Sequence, residues 1–149
     1  MLSLLLVLHL LRSHTDVGSA REEIEPYHER IRDAVLSGLS PEAVAQRHER
    51  IALALEAAGG TDAEVLASHF AAAGRMLDAG RHALQAARHS AAALAFDRAA
   101  RLYRWALSLA PSSEDRHILA HLGDALANAG RGAEAAEAYL SSARAAPSS

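Results

Sequence analysis

Neither cysteine nor lysine occurs in the 149 residues. Without thiols there is no disulfide framework and no thiolate zinc site. Without lysine there is no Gly-x-x-x-x-Gly-Lys-Ser/Thr phosphate loop and no kinase-type strand lysine. All 15 basic residues are therefore arginine, which we read as genomic base-composition bias. Aromatic residues make up only 4% of the chain. No stretch alternates apolar and polar residues with β-branched enrichment, so strands are not expected. The net charge is only −3 and the arginines are interspersed with Asp and Glu, which argues against a broad nucleic-acid footprint.

Half of the residues are hydrophobic, and nearly half of these are alanine. At this length one domain is the default, and an alanine-rich core means closely spaced helices with thin side chains between them. The stretch from Arg116 to Pro147 shows the plan. Leu119, Leu122, Gly123 and Leu126 form one apolar stripe, Gly130 and Gly132 interrupt it, and Ala135, Tyr139 and Ala143 form the answering stripe before the proline stop. Shifting back by 36 residues lays Ala99 on Ala135, Tyr103 on Tyr139 and Pro111 on Pro147. A weaker third unit has Phe70, Gly74, Ala79, Ala83 and Ala86 near the matching positions.

The pattern of a small residue where two helices cross and an aromatic knob one turn later resembles the tetratricopeptide repeat, whose period is about 34 residues. The resemblance implies an all-α fold: antiparallel helical hairpins stacked as a right-handed superhelix. Its packing residues here are Ala99, Tyr103, Ala106, Leu119, Leu122, Gly123, Leu126, Ala135 and Tyr139.

Along the chain, Met1 to Leu11 (MLSLLLVLHLL) is almost wholly apolar but too short to span a bilayer. No positive charge precedes it and His9 interrupts it, so a buried helix is expected rather than a signal peptide. Arg12 to Glu23 reads as a loop or wing-like turn. A helix is expected over Glu25–Leu39, with Pro26 in its first turn and Tyr27, Ile31, Val35 and Leu39 on one face. Ser40-Pro41-Glu42 caps the next helix, which has Val44, His48, Ile51 and Leu55 on its inner stripe and stops at Gly59-Gly60. Thr61 with Glu64 offers a capping box. Further helices follow over Asp62–Ala73, about Met76–Ala93 with Leu77, Gly80, Leu84, Ala87, Ala91 and Leu94 in rhythm, Phe96–Leu109, and the final hairpin. The expected domains are residues 1–23, an N-terminal apolar helix and loop; 24–147, the repeat domain; and 148–149, a frayed tail.

The phrase EIEPYHERIRDAV, followed by RHERIALALEA and VLASHFAAAG, is more specific. With the run Ala95 to Tyr103, it is similar to the region after the ATPase module in large bacterial signalling proteins. These join a serine/threonine protein kinase or other sensor to an AAA-type (STAND-class) ATPase and then to tetratricopeptide-like helices. Tyr27, His28, Arg30, Ile31 and Arg32 carry the family phrase. The resemblance implies that Met1 to Arg12 is a winged-helix remnant and Thr15 to Arg21 its wing. It covers only the non-catalytic end of that architecture, so kinase or ATPase activity would belong to a longer parent protein.

No Gly-x-Ser-x-Gly elbow marks a nucleophile, and paired acids sit at helix starts, where dipole compensation explains them. His117 and His121, four apart, are the candidates for a metal, but they lack a third ligand nearby and read as a solvated helix pair. Arg98, Arg101 and Arg104 form a basic face, read as solvated, with an acidic-peptide anchor as the alternative. The expectation is a non-catalytic protein–protein interaction scaffold in the cytoplasm, with no cofactor, metal, nucleic acid or membrane. Its partner is a protein or peptide in a concave groove, or the ATPase lobe of a parent protein. Alternatives are a free-standing adaptor and, less favoured, a secreted helical protein. Self-association through residues 1–11 is the expectation if that apolar helix is exposed.

Overall fold

The structure is a computed structural model that describes residues 11–15, 22–26, 39–109 and 115–145. It divides into two compact units, residues 1–44 and 45–149. The first holds an antiparallel hairpin of β1 (Leu11–Thr15) and β2 (Glu22–Pro26), in a register that pairs Leu11 with Pro26, Ser13 with Ile24 and Thr15 with Glu22. This corrects the sequence reading in two respects. Strands are present where none was expected, and Glu25 and Pro26 lie in a strand instead of opening a helix. Each strand carries a single aliphatic residue, so no alternating pattern announces it. Pro26 is tolerated because it stands at the strand's end and a two-stranded sheet is all edge. The remainder of the helix expected over Glu25–Leu39, up to residue 38, lies outside the described residues.

Six helices follow among the described residues: α1 (Pro41–Ala58), α2 (Ala63–Ala72), α3 (Met76–Ala92), α4 (Phe96–Leu109), α5 (Asp115–Asn128) and α6 (Gly132–Arg144). Ser40 caps α1, its Oγ accepting from the Ala43 N–H at 3.2 Å. The cap of α2 is Asp62, not Thr61: its carboxylate accepts from the Glu64 N–H at 2.9 Å, while the Thr61 hydroxyl turns back to the Leu55 carbonyl. Three later helix ends share one geometry. The amides of Gly74, Leu94 and Gly130 bond three residues back, and those of Arg75, Ala95 and Arg131 bond five residues back. This is the Schellman arrangement, which needs a left-handed residue at its corner. Gly74 and Gly130 supply φ 76°, and Leu94 is held at φ 59°.

These three-residue turns fold α3 back on α2, α4 on α3 and α6 on α5. Across the longer connection between α1 and α2, His48 midway along α1 meets His69 in the second half of α2. The Ser142 hydroxyl near the end of α6 donates to the Arg116 carbonyl at the start of α5, at 2.8 Å. Helices two apart run parallel instead. Glu49 and Glu56 of α1 reach Arg75 and Arg81, so both ends of the pair advance together.

The core of this unit is mostly alanine. Ala86, Ala99, Ala100, Leu102, Tyr103, Ile118, Leu122, Leu126, Ala135 and Ala138 belong to its main cluster, and Ala52, Leu66, Phe70 and Ala79 to a second. The buried stripe of α3 is Ala79, His82, Ala83, Ala86, Ala87 and Ser90. Most of the leucine-bearing rhythm read from the sequence falls beside it, and Leu77 and Leu94 are 76% and 72% exposed. Helices this close leave room for methyl groups, and longer side chains are displaced to the edges. The same holds for α1, where Ala52 is buried and Ile51 is exposed, and for α6, where Ser142 is buried and Ala143 is exposed.

Candidate binding surface

Of the residues singled out for packing, Ala99, Tyr103, Leu122, Leu126 and Ala135 share the main cluster, whereas Ala106 packs with Ala67 and Ala83. Ala99, Tyr103, Ala106, Leu122, Gly123, Leu126 and Ala135 are buried, and Leu119 is half-buried. Tyr139 is 41% exposed. It lies over Gly123, and its hydroxyl donates to Asp124 Oδ1 at 2.8 Å. That bond raises the pKa of the phenol, because ionisation would set two anions against each other.

A ladder of ion pairs links alternate helices. Glu64 of α2 accepts from Arg98 at 2.8 Å and Arg101 at 2.9 Å of α4, and Asp62 lies 3.3 Å from Arg98. Arg104 of α4 then donates to Glu134 of α6 at 2.6 Å, and Arg131 spans from Glu134 at 2.8 Å to Asp97 at 3.4 Å. The hydrogen bonds from Arg98, then Arg101, hold the Glu64 carboxyl below its ordinary pKa, and Arg131 does the same for Glu134. All three arginines of the basic face thus already carry a carboxylate partner, which explains the face without an acidic peptide. The separations Glu64–Arg98 and Asp97–Arg131 are both 34 residues.

Three histidines not singled out in the sequence for this role form contacts across α1, α2 and α3. His48 Nδ1 and His69 Nδ1 are 2.9 Å apart, so one ring donates to the other. Burial, and then the neighbouring His48, lower the pKa of His69. The His82 ring stacks on Phe70 at 5.3 Å, and its Nε2 lies 3.1 Å from Glu56 Oε1. Its Nδ1 is buried with no hydrogen-bond partner. The signal for His82 was its place beside Ala79, Ala83 and Ala86 on one helical face. Nothing local announced that His48 and His69 would meet, since 21 residues separate them.

Of the metal candidates, His121 stacks on Tyr103 at 6.0 Å and points Nδ1 at Asp124, 3.7 Å away, while His117 is exposed. No cluster of three or more His, Cys, Asp or Glu able to hold a metal occurs among the described residues. Tyr27, His28, Arg30, Ile31 and Arg32 lie outside the described residues, as does the apolar run of residues 1–10. No helix among those described is long and apolar enough to cross a membrane.

A cleft of about 440 Å³ opens where the α1–α2 connection meets the end of α3 and the start of α4. Gly60, Thr61 and Asp62 form one wall and Ala86, Ser90 and Arg98 another, with the exposed Gln85 and His89 side chains at the rim. Its one carboxylate and one guanidinium already bond to each other. The recess has the size of a small-ligand pocket, but it offers no nucleophile–base pair. Compared with known proteins, the chain matches no family model and no curated sequence.

Proposed function

We propose that the chain is a non-catalytic protein-binding scaffold of tetratricopeptide type. Its helices pair as α1–α2, α3–α4 and α5–α6, and the hairpins stack into a right-handed superhelix. The first helices of the pairs line a concave groove that takes an extended peptide or a helix. One observation supports this reading: alternate helices lie parallel and are tied by ion pairs 25 to 37 residues apart in sequence, a range that brackets the length of one such repeat. A chain whose neighbouring units repeat at that interval presents a continuous surface, which suits it to holding another polypeptide. On the sequence resemblance, the scaffold serves as the regulatory or sensor segment of a larger bacterial ATPase or serine/threonine kinase signalling protein.

Peptides selected against the purified chain from a random library test the proposal. Their binding is to be measured by calorimetry and mapped by amide chemical shifts. Saturable one-to-one binding with shifts along α1, α3 and α5 is expected. Shifts confined to the outer faces of α2, α4 and α6, or no saturable binder, would overturn it.

A further inference from the structure

Positions 36 residues apart correspond between the last two hairpins, Ala100 with Ala136 and Tyr103 with Tyr139. On α4, Ala100 is 0% and Tyr103 3% exposed. The reason is α5: Ile118 and Leu122 share their cluster, and His121 stacks on the Tyr103 ring. On α6, Ala136 and Tyr139 are both exposed, and so are Ala133, Leu140 and Ala143. Residues 133, 136, 140 and 143 recur at three and four and make one seam, with Tyr139 along its edge. The surface that packs a helix in one hairpin is thus repeated, uncovered among the described residues, in the next.

Charge decides what covers it. Glu137 and Arg144 are exposed, lie on the same flank of the seam seven residues apart, and bracket Leu140. Neither forms an ion pair with another described residue. When two such helices pack antiparallel about a two-fold axis, each flank faces its own copy. With the axis near Leu140, Glu137 meets Arg144 of the second copy and Arg144 meets Glu137, so opposite charges pair twice. In a parallel pair each flank would instead face the opposite flank of the second copy, and Glu137 and Arg144 would not meet.

We propose that α6 is a self-association face: two copies of the chain pair antiparallel through Ala136, Leu140 and Ala143, and the two Glu137–Arg144 contacts set the register. This use of α6 is independent of what the groove holds. The seam is about 15 Å long, so the area it covers falls short of a standard interface and the dimer is weak and concentration-dependent.

Sedimentation velocity on the full chain, from micromolar to near-millimolar concentration, tests this. Wild type is expected to self-associate. Glu137→Arg alone and Arg144→Glu alone each place like charges at both positions and should weaken association about tenfold. Mixing the two single variants should restore it, because each then supplies what the other lacks, and the double variant should associate like wild type. Circular dichroism checks that these exposed substitutions leave the fold intact. A wild type that stays monomeric would overturn the proposal. Association unchanged by either reversal would move the interface elsewhere, residues 1–11 being the first place to look. Loss in the single variants without recovery on mixing would equally rule out self-pairing and leave the face to a helix of a different protein.

Discussion

A methyl group placed on Gly123 would stand 2.6 Å from Cε1 of Tyr139 and 2.8 Å from its Cζ. The ring and the glycine therefore occupy one site between α5 and α6. Gly123→Ala sets two effects against each other. Alanine in a helix interior gains about 1 kcal/mol over glycine, but the ring must leave, losing its contact and its bond to Asp124. In the wild-type background the substitution is expected to destabilise. In a Tyr139→Ala background it should stabilise by about 1 kcal/mol, because only the propensity gain remains. Urea unfolding of the four proteins measures the coupling, and equal effects in both backgrounds would refute the contact.

Leu94 occupies the corner that Gly74 and Gly130 occupy in the two sister turns. A side chain in the left-handed region costs roughly 1–2 kcal/mol, and Leu94 is exposed, so its removal loses little burial. Leu94→Gly is expected to raise stability by about 1 kcal/mol, and Gly130→Ala to lower it by a similar amount. Thermal unfolding distinguishes the two directions.

The His48–His69 pair makes stability depend on pH. His69 has a folded pKa below its unfolded value, so the folded state binds fewer protons. Its contribution is fully present above the ordinary histidine pKa of about 6.5 and is lost as pH falls through the lower folded value. The urea midpoint should drop between pH 7.5 and pH 5, and the drop should be smaller in His69→Gln. An equal drop in both proteins would show that His69 does not contribute to the pH dependence.

His82 keeps a buried nitrogen without a partner. An orphaned buried acceptor costs about 1–3 kcal/mol, whereas the ring's volume is used in stacking on Phe70. His82→Leu keeps most of the volume and removes the orphan, so its stability should stay within about 1 kcal/mol of wild type. His82→Ala leaves a cavity and should cost about 2–4 kcal/mol. Chemical denaturation at one fixed pH is the measurement.

Glu64 of α2 joins two arginines of α4, 34 and 37 residues along the chain. Glu64→Gln should lower the urea midpoint at low salt, and roughly half of that loss or more should vanish in 1 M sodium chloride, where exposed charges are screened. A loss indifferent to salt would assign Glu64 a packing role instead.

The helix ends were legible because they are written locally. Gly59-Gly60, Gly74 and Gly130 provide backbone freedom where a turn requires it, and Ser40-Pro41 starts α1 within three residues. The turn at Leu94 carries no such signal: neighbouring hydrogen bonds hold a leucine in a glycine's conformation. The hairpin of β1 and β2 escaped notice because cross-strand pairing, not an alternating apolar face, defines it. Of the candidate surface, Gly123 was readable from its place in the apolar stripe with Leu119, Leu122 and Leu126, and Tyr139 from the 36-residue correspondence with Tyr103. The His48–His69 contact was not, since only the packing of α1 on α2 brings those rings together.

By itself the amino-acid order determined that the chain makes short amphipathic helices, where most of them stop, and that its interior is alanine. These follow from backbone preference and from spacing within a turn or two. Only the tertiary structure decided which stripe of α3 is buried and that each arginine of the α4 face meets a carboxylate 30 to 37 residues away. It also left Tyr139 exposed while its counterpart Tyr103 is covered. Each of these depends on how closely one helix approaches another, and that distance is set by residues far apart in the chain.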